Sequence, residues 1–254
     1  MRRGVLETLI SGKKTRTSHS QVVGELGRAI IAGEYPVGAT LPGDLDLAQR
    51  FKVSRTVLRE AMKTLAAKGL IVPRARIGTR VTPKTQWNLF DGDVLTWHFH
   101  AGMDLEFLNH LSQIRMAFEP FAASLAAENA TEEDVEQLYR LAEEMGLPDH
   151  TPETLAVADL KFHLCVAEAS RNPFMRTVGS LIEAALVGVF KLSSPAEGES
   201  RVEEVSMAHA RIVDAIAAHD SAGAAEAMRR VINTGHERVK AALDELHAAE
   251  TVSA

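Results

Sequence analysis

The stretch VSRTVLREAMKTLAAKGL, residues 53–70, decides how the first third of the chain folds. Val57, Leu58, Ala61 and Leu65 recur at helical spacing and form one inner face. Ser54 stands just ahead of that run, where its hydroxyl can cap the helix, and Arg55, Thr56 and Arg59 remain available on the outside. Upstream, a short helical pattern over residues 45–51 is parted from it only by Lys52 and Val53. Earlier still, Val22, Val23, Leu26, Ile30 and Ile31 predict a helix over residues 18–32, with Gly33 to stop it. The connection GEYPVGATLPG (33–43) is rich in Gly and Pro. Downstream, LIVPRARIGTRV (70–81) predicts two short strands around a basic turn, where Arg74, Arg76 and Arg80 surround Gly78.

Helix, short helix, tight turn, second helix and β-hairpin make a winged helix-turn-helix over residues 18–82. In such a unit the helix after the turn enters the major groove of double-stranded DNA. Arg suits bidentate contact with guanine, and Thr can meet a thymine methyl or a phosphate. Charge supports this reading. Residues 1–80 hold 15 Lys/Arg against 6 Asp/Glu, a net +9, and the remainder carries −15, within a whole-chain charge of −6. A basic piece joined to an acidic one suggests an element that meets a polyanion. The single cysteine, Cys165, excludes an internal disulfide and suits a reducing cytoplasm. Glu7 and the cluster Lys13, Lys14 and Arg16 argue against a signal peptide, and no apolar run approaches the ~20 residues that span a bilayer. No membrane partner is expected.

Residues 83–93 read as a linker, with Trp87 and Phe90 suggesting that it packs down, and residues 94–248 read as helix throughout. Segments are expected near 94–101, 104–129, 131–146, 152–170, 173–194, 200–219 and 221–248, with SSPAEGES (193–200) as a loop. Asp104, Thr131, Thr151 and Ser221 are placed to cap N-termini, and Pro152 and Pro173 fit first turns. The fold class is therefore mainly α: an N-terminal winged helix-turn-helix and a C-terminal all-α bundle of six to seven helices.

Polar groups interrupt the apolar stripes of that bundle. Asp159 and His163, four apart, share a face with Leu155, Phe162 and Val166, while Lys161 and Glu168 point roughly the opposite way. Arg115 lies among Leu108, Leu111, Phe118 and Ala122; His209 lies among Val205, Ile212, Val213 and Ile216; Arg238 shares a face with Val231. Each alone reads as a hydrogen-bonded core residue or a buried ion pair. Several on different helices point to a chamber with convergent polar groups, where bundles build binding sites. A metal-dependent hydrolase or lyase is the alternative use of such a chamber, although no well-placed additional carboxylate offers itself as general base.

Residues 30–81 resemble the DNA-binding domain of the GntR family of bacterial transcription regulators. The match runs through the Gly-x-x-x-x-Gly-x-x-Leu-Pro of the connection, the Ser-Arg-x-x-x-Arg-Glu-Ala of the second helix and the Gly of the wing. The resemblance implies operator contacts by Arg55 and Arg59, backbone contacts at Ser54 and Thr56, and a wing built around Arg76 and Gly78. Many relatives carry an arginine three residues after the Leu-Pro pair, where this chain has Leu45. Residues 94–245 resemble the helical effector domain, called FCD, of the FadR-type branch, through RMAFEP (115–120), DLKFH…SRNP (159–173) and HARIVDAI (209–216).

That second resemblance implies a divalent metal, Zn²⁺ or similar, on Asp159, His163 and His209. It also implies a small carboxylate effector met by Arg115; Asn172, in the SRNP marker, and Arg238, read from its place on the last helix, are candidates for the rest of the lining. The family's third histidine falls on Val231 here, and His236 lies about 140° around the helix and ~7.5 Å along it from that position. Two versions stay open: a three-ligand metal completed by water or effector, or direct binding of effector by Arg115, Arg238, Asn172 and the histidines. TQWNLFDGDVLTWHF (85–99) resembles the same stretch in members that answer to sugar acids. The expectation is a homodimeric cytoplasmic regulator, not an enzyme, that represses sugar-acid catabolism and leaves its operator when effector binds.

Overall fold

The structure is a computed structural model that describes residues 17–101, 105–179, 181–183, 186 and 199–252. The chain divides into two compact units, residues 1–103 and 104–254.

In the first unit, α1 (Ser18–Ile31) begins at Thr17, whose side chain accepts from the Ser20 N–H, and ends before Gly33 at φ +82°. Helices α2 (Asp44–Phe51) and α3 (Arg55–Ala67) are joined by a tight turn in which Lys52 takes a left-handed conformation, φ 54°. Ser54 caps α3 as expected, its Oγ accepting from Val57 N at 3.3 Å. Leu58, Ala61 and Leu65 are fully buried and Val57 half-buried. Leu58, Ala61 and Leu65 pack with Val22, Leu26, Ile30, Leu47 and Phe51 into one core. Strands β1 (Ile71–Arg74) and β2 (Gly78–Val81) pair antiparallel, Ile71 opposite Val81 and Arg74 opposite Gly78. The 38–41 segment adds to this wing: Thr40 bridges Arg80, and Leu41 N donates to Thr79 O at 2.8 Å.

Helix α4 (Gly92–Ala101), assigned above to the helical domain, packs against α1 and belongs to the first unit. The physical reason is a set of close contacts over the linker. A Cβ on Gly27 would lie 2.3 Å from the Trp97 ring, so the indole sits directly on the backbone of α1. At Gly69, φ is +78° and a Cβ would lie 2.0 Å from Gln86 O, so there is room for no side chain. Trp87 is buried, its Nε1 donating to Thr82 O at 3.3 Å, whereas Phe90 is 54% exposed. Lys68, the C-cap of α3, completes the join. Its ammonium donates to both Asp91 oxygens at 2.6 and 2.7 Å and to Asp93 at 3.0 Å, and lies 5.7 Å from the Trp97 ring. Asp91 Oδ1 in turn caps α4 by accepting from Asp93 N and Val94 N.

The second unit contains α5 (Leu105–Asn129), α6 (Glu132–Met145), α7 (Pro152–Ala169), the short α8 (Pro173–Thr177), α9 (Glu199–Ala217) and α10 (Ser221–Val252). Capping boxes at Thr131 and Thr151 start α6 and α7. Asp220, not Ser221, caps α10: its Oδ1 accepts from Gly223 N at 2.9 Å, while Ser221 Oγ reaches across to Ser124 O at 3.2 Å. The Asp220 carboxylate, one residue earlier, is the acceptor in reach of the first-turn amide. Helix α10 lies along α5, where Ala122, Ala123, Ala126 and Ala127 are all buried and permit close approach. Helix α9 packs on α6 and α10, α6 on α7, and α7 on α5, closing a bundle. The Asp104 cap, half of the expected 173–194 helix, most of the 193–200 loop and the lead-in before Thr17 lie outside the described residues. Among the described residues, the only sheet is the wing, and no helix is long and apolar enough to cross a membrane.

Candidate functional site

The DNA-contact candidates of the first unit are exposed. Arg55, Thr56 and Arg59 are exposed on the first turns of α3, opposite the buried Leu58 and Ala61. Arg76 and Gly78 are exposed at the wing tip, with φ 62° and 104°, the left-handed backbone that lets the hairpin turn within three residues. Leu45 is 55% exposed on the first turn of α2, and Ile77 61% exposed beside Arg76. Arg80 differs from its neighbours. Its Nε and Nη2 both donate to Gly38 O, at 2.9 and 2.6 Å, so the guanidinium ties the wing to the preceding connection.

The second unit gathers a buried polar cluster from three helices. Arg115 and Glu119 come from α5, Asp159 and His163 from α7, and His209 from α9; each is 7% exposed or less. Ligand atoms of Asp159, His163 and His209 all lie within 4.8 Å of one another. His209 Nε2 is 3.0 Å from Asp159 Oδ1, and His163 Nε2 is 3.7 Å from Asp159 Oδ2. The rings meet edge to face, with Phe162 packed against both.

The outer nitrogens determine what the inner ones can do. His209 Nδ1 stands 2.7 Å from Val205 O, and a carbonyl only accepts, so Nδ1 must carry the proton. His163 Nδ1 stands 2.6 Å from Glu119 Oε2, a close charge contact without the alignment of a regular hydrogen bond; a carboxylate has no proton to give, so it favours the proton on Nδ1. In the neutral rings both Nε2 atoms then turn lone pairs toward the Asp159 carboxylate. Neither makes a well-directed hydrogen bond. Lone pair facing lone pair in a buried setting requires a cation between them, a proton or a metal ion. Histidines whose far nitrogen is held by a carbonyl or carboxylate are also the usual metal ligands. The residues present fit a divalent ion. His236 is not part of the cluster, and Val231, at the position of the family's third histidine, is half-buried on α10.

When the cation is a proton on the rings, their charge acts on the carboxylates. Burial alone would raise the Asp159 carboxyl, and the facing His163 and His209 and the nearby Arg115 overcome it, holding it well below the usual carboxylate range. Glu119 is likewise opposed by burial, yet Arg115 and His163 bring it down to about 2.

Arg115, expected to meet an effector carboxylate, already holds an internal one. Its Nε donates to Glu119 Oε1 at 2.5 Å and its Nη2 to Oε2 at 3.3 Å. Two of its five N–H donors are thus committed. Asn172 caps α8, its Oδ1 accepting from Phe174 N at 3.0 Å, which leaves the amide NH₂ for other work. Arg238 is half-buried on α10. Glu119 is the member that sequence reasoning passed over. It stands inside RMAFEP, four residues after Arg115, where an Arg-Glu pair reads as an ordinary helix-surface ion pair. What sets it apart is its contact with His163 on another helix, which no local pattern announces.

Two family models match the chain: bacterial regulatory proteins of the gntR family over residues 18–81, and the FCD domain over residues 110–234. The galactonate operon transcriptional repressor of Escherichia coli K12 is 30% identical over 226 residues, covering 89% of this chain and 98% of that protein. An uncharacterized regulator of the same organism, YieP, is 35% identical over 212 residues, covering 83% and 90%. The solved structure of Lar, which controls the agr system of Listeria monocytogenes, superposes with a TM-score of 0.62 at 22% identity, over 90% of this chain and 99% of that one. These relatives and domains are transcription regulators, so the hydrolase or lyase reading of the chamber is set aside. The chain belongs to the GntR family of transcription regulators, with a DNA-binding helix-turn-helix domain at its N-terminus and an FCD domain at its C-terminus.

Proposed function

We propose that this regulator is a cytoplasmic homodimer that represses genes of sugar-acid catabolism and leaves its operator when a small carboxylate binds the helical domain. The observation that carries the effector half is the buried cluster on α5, α7 and α9, where a carboxylate and two imidazoles converge with their outer nitrogens already anchored. Its similarity to the galactonate operon repressor supports the sugar-acid class.

In this reading Arg55 and Arg59 contact base edges, Ser54, Thr56 and Arg76 contact phosphate backbone, and Gly78 lets the wing approach it. Two copies related by a two-fold axis would read an inverted repeat. Asp159, His163 and His209 would hold the metal, and the chemistry it would supply is a positive charge to grip an acid. Arg115, Asn172 and Arg238 would orient the rest of the ligand. The metal-free cluster, with both imidazoles neutral, carries one net negative charge from Arg115, Glu119 and Asp159. A divalent ion together with one effector carboxylate brings that total to zero, which favours a monoanionic ligand in so buried a place. A hundredfold preference of effector for the off-operator conformation supplies about 2.7 kcal/mol of coupling.

The test follows binding of labelled upstream DNA by fluorescence anisotropy at fixed salt, with a panel of aldonic and uronic acids added with and without chelator. One acid should release the DNA, and chelator should block the release. Arg59→Ala should weaken operator binding by about 1–3 kcal/mol. Release by no sugar acid would overturn the effector class, and turnover of any of them would overturn the regulator reading of the chamber.

A further inference from the structure

We infer that Glu119 is the positioning residue of the buried cluster, the carboxylate that selects which nitrogen of His163 faces inward and that joins Arg115 to the ligand set. The inference rests on the metal reading above and adds to it a residue that the reading did not use. His209 is oriented by its own helix, through Val205 O four residues earlier. His163 has no such carbonyl in that role. Its Nδ1 is 2.6 Å from Glu119 Oε2 on a different helix, a charge contact rather than a well-directed hydrogen bond, so the contact that bears on the ring's orientation crosses from α5 to α7.

Glu119 can serve this purpose because its other contacts leave it little freedom. Arg115 holds both carboxylate oxygens from one turn earlier on the same helix, with the shorter contact at 2.5 Å. The next residue, Pro120, is buried within α5 and lacks the N–H that would bond the carbonyl of Met116. Glu119 itself is only 3% exposed. A carboxylate in this place keeps the proton on Nδ1, leaves the Nε2 lone pair for a cation and raises the donor strength of the ring. It also means that Arg115 reaches an effector from a position fixed by Glu119, so ion and acid would be read by one hydrogen-bonded unit.

The experiment uses the full chain, stripped of metal by chelator. Zn²⁺ and Co²⁺ affinities are measured by competition calorimetry for wild type, Glu119→Gln and Glu119→Asp. The protonation of His163 is read from long-range ¹H–¹⁵N correlation spectra of the metal-free proteins. Glu119→Gln removes the charge, and Glu119→Asp keeps it while drawing the carboxylate back from the ring, so at least one should retain the wild-type circular dichroism spectrum. We expect a loss of metal affinity of roughly 10–100-fold in the folded variants. We also expect a His163 that carries its proton on Nδ1 in wild type and loses that preference in the variants. A structural role alone would leave the nitrogen spectrum unmoved. Wild-type metal affinity in the folded variants, or a wild-type His163 protonated on Nε2 alone, would overturn the inference. If wild type binds neither ion, the metal reading falls, and the nitrogen spectra still decide whether Glu119 orients His163.

Discussion

Each unit of this protein holds a cluster of charges, half-buried in one and fully buried in the other, and the two are built to different rules. In the N-terminal unit Lys68 meets Asp91 and Asp93, and its ammonium points at opposite charges: three donor contacts at 2.6–3.0 Å, with Trp97 against it. In the C-terminal unit two imidazole lone pairs and a carboxylate point at one another. The first cluster is satisfied without help from outside. The second has acceptors facing acceptors and is completed only by something positive. A buried charge cluster that closes on itself joins elements together, whereas one with surplus acceptors is a site.

The contrast is open to direct measurement because both tryptophans, Trp87 and Trp97, belong to the N-terminal unit. Tryptophan fluorescence therefore follows that unit, while far-UV circular dichroism is dominated by the long helices of the other. The largest expected effect is on the C-terminal unit. Zn²⁺ at a hundred times its dissociation constant should stabilise that unit by about 2.7 kcal/mol. That corresponds to a rise of about 5–10 °C in its melting temperature for a domain of this size. The fluorescence transition should stay where it was. Asp159→Asn should abolish the response. A zinc shift that survives the substitution would place the ion elsewhere and break the distinction between the two clusters.

Next in size is Lys68→Met. Taking one partner from a buried ion pair is costly, but Asp91 and Asp93 side chains are 24% and 51% exposed and can be rehydrated, so the loss should be about 2 kcal/mol. It should appear in the fluorescence transition alone and be indifferent to chelator. If chelator changed it, the N-terminal cluster would not be self-sufficient.

The same contrast explains what could be read before the fold was known. The winged unit was legible because its signals are local: the Ser54 cap, the stripe of Leu58, Ala61 and Leu65, and the wing around Gly78. So were Asp159, His163 and His209, since a polar side chain inside an apolar stripe announces itself. Lys68 and Glu119 were not. Each stands where its type is ordinary, a lysine at a helix end and a glutamate four residues after an arginine, and only a long-range partner makes it special. The attachment of α4 was hidden for a similar reason. It depends on Gly27 lacking a side chain where Trp97 arrives from some seventy residues later, a pairing with no local periodicity.

The smallest effect concerns acid, and it tests whether the C-terminal cluster is held together by its anions when no metal is present. Glu119 is depressed to about 2 and Asp159 also lies below its usual range, while in the unfolded chain both titrate near 4. Groups with lowered folded values bind more protons when unfolded, so the stability they contribute is fully present above about pH 5. It is lost as the pH falls through 4 and toward 2. In chelator, the circular dichroism transition of wild type should therefore move to lower temperature across that window. Glu119→Gln, with no carboxylate to protonate, should start lower at pH 7 and fall less steeply. A variant whose acid slope matches wild type would mean that Glu119 contributes nothing as an anion. The cluster would then be held by packing around Phe162, and the C-terminal unit would tolerate the facing acceptors without needing them charged.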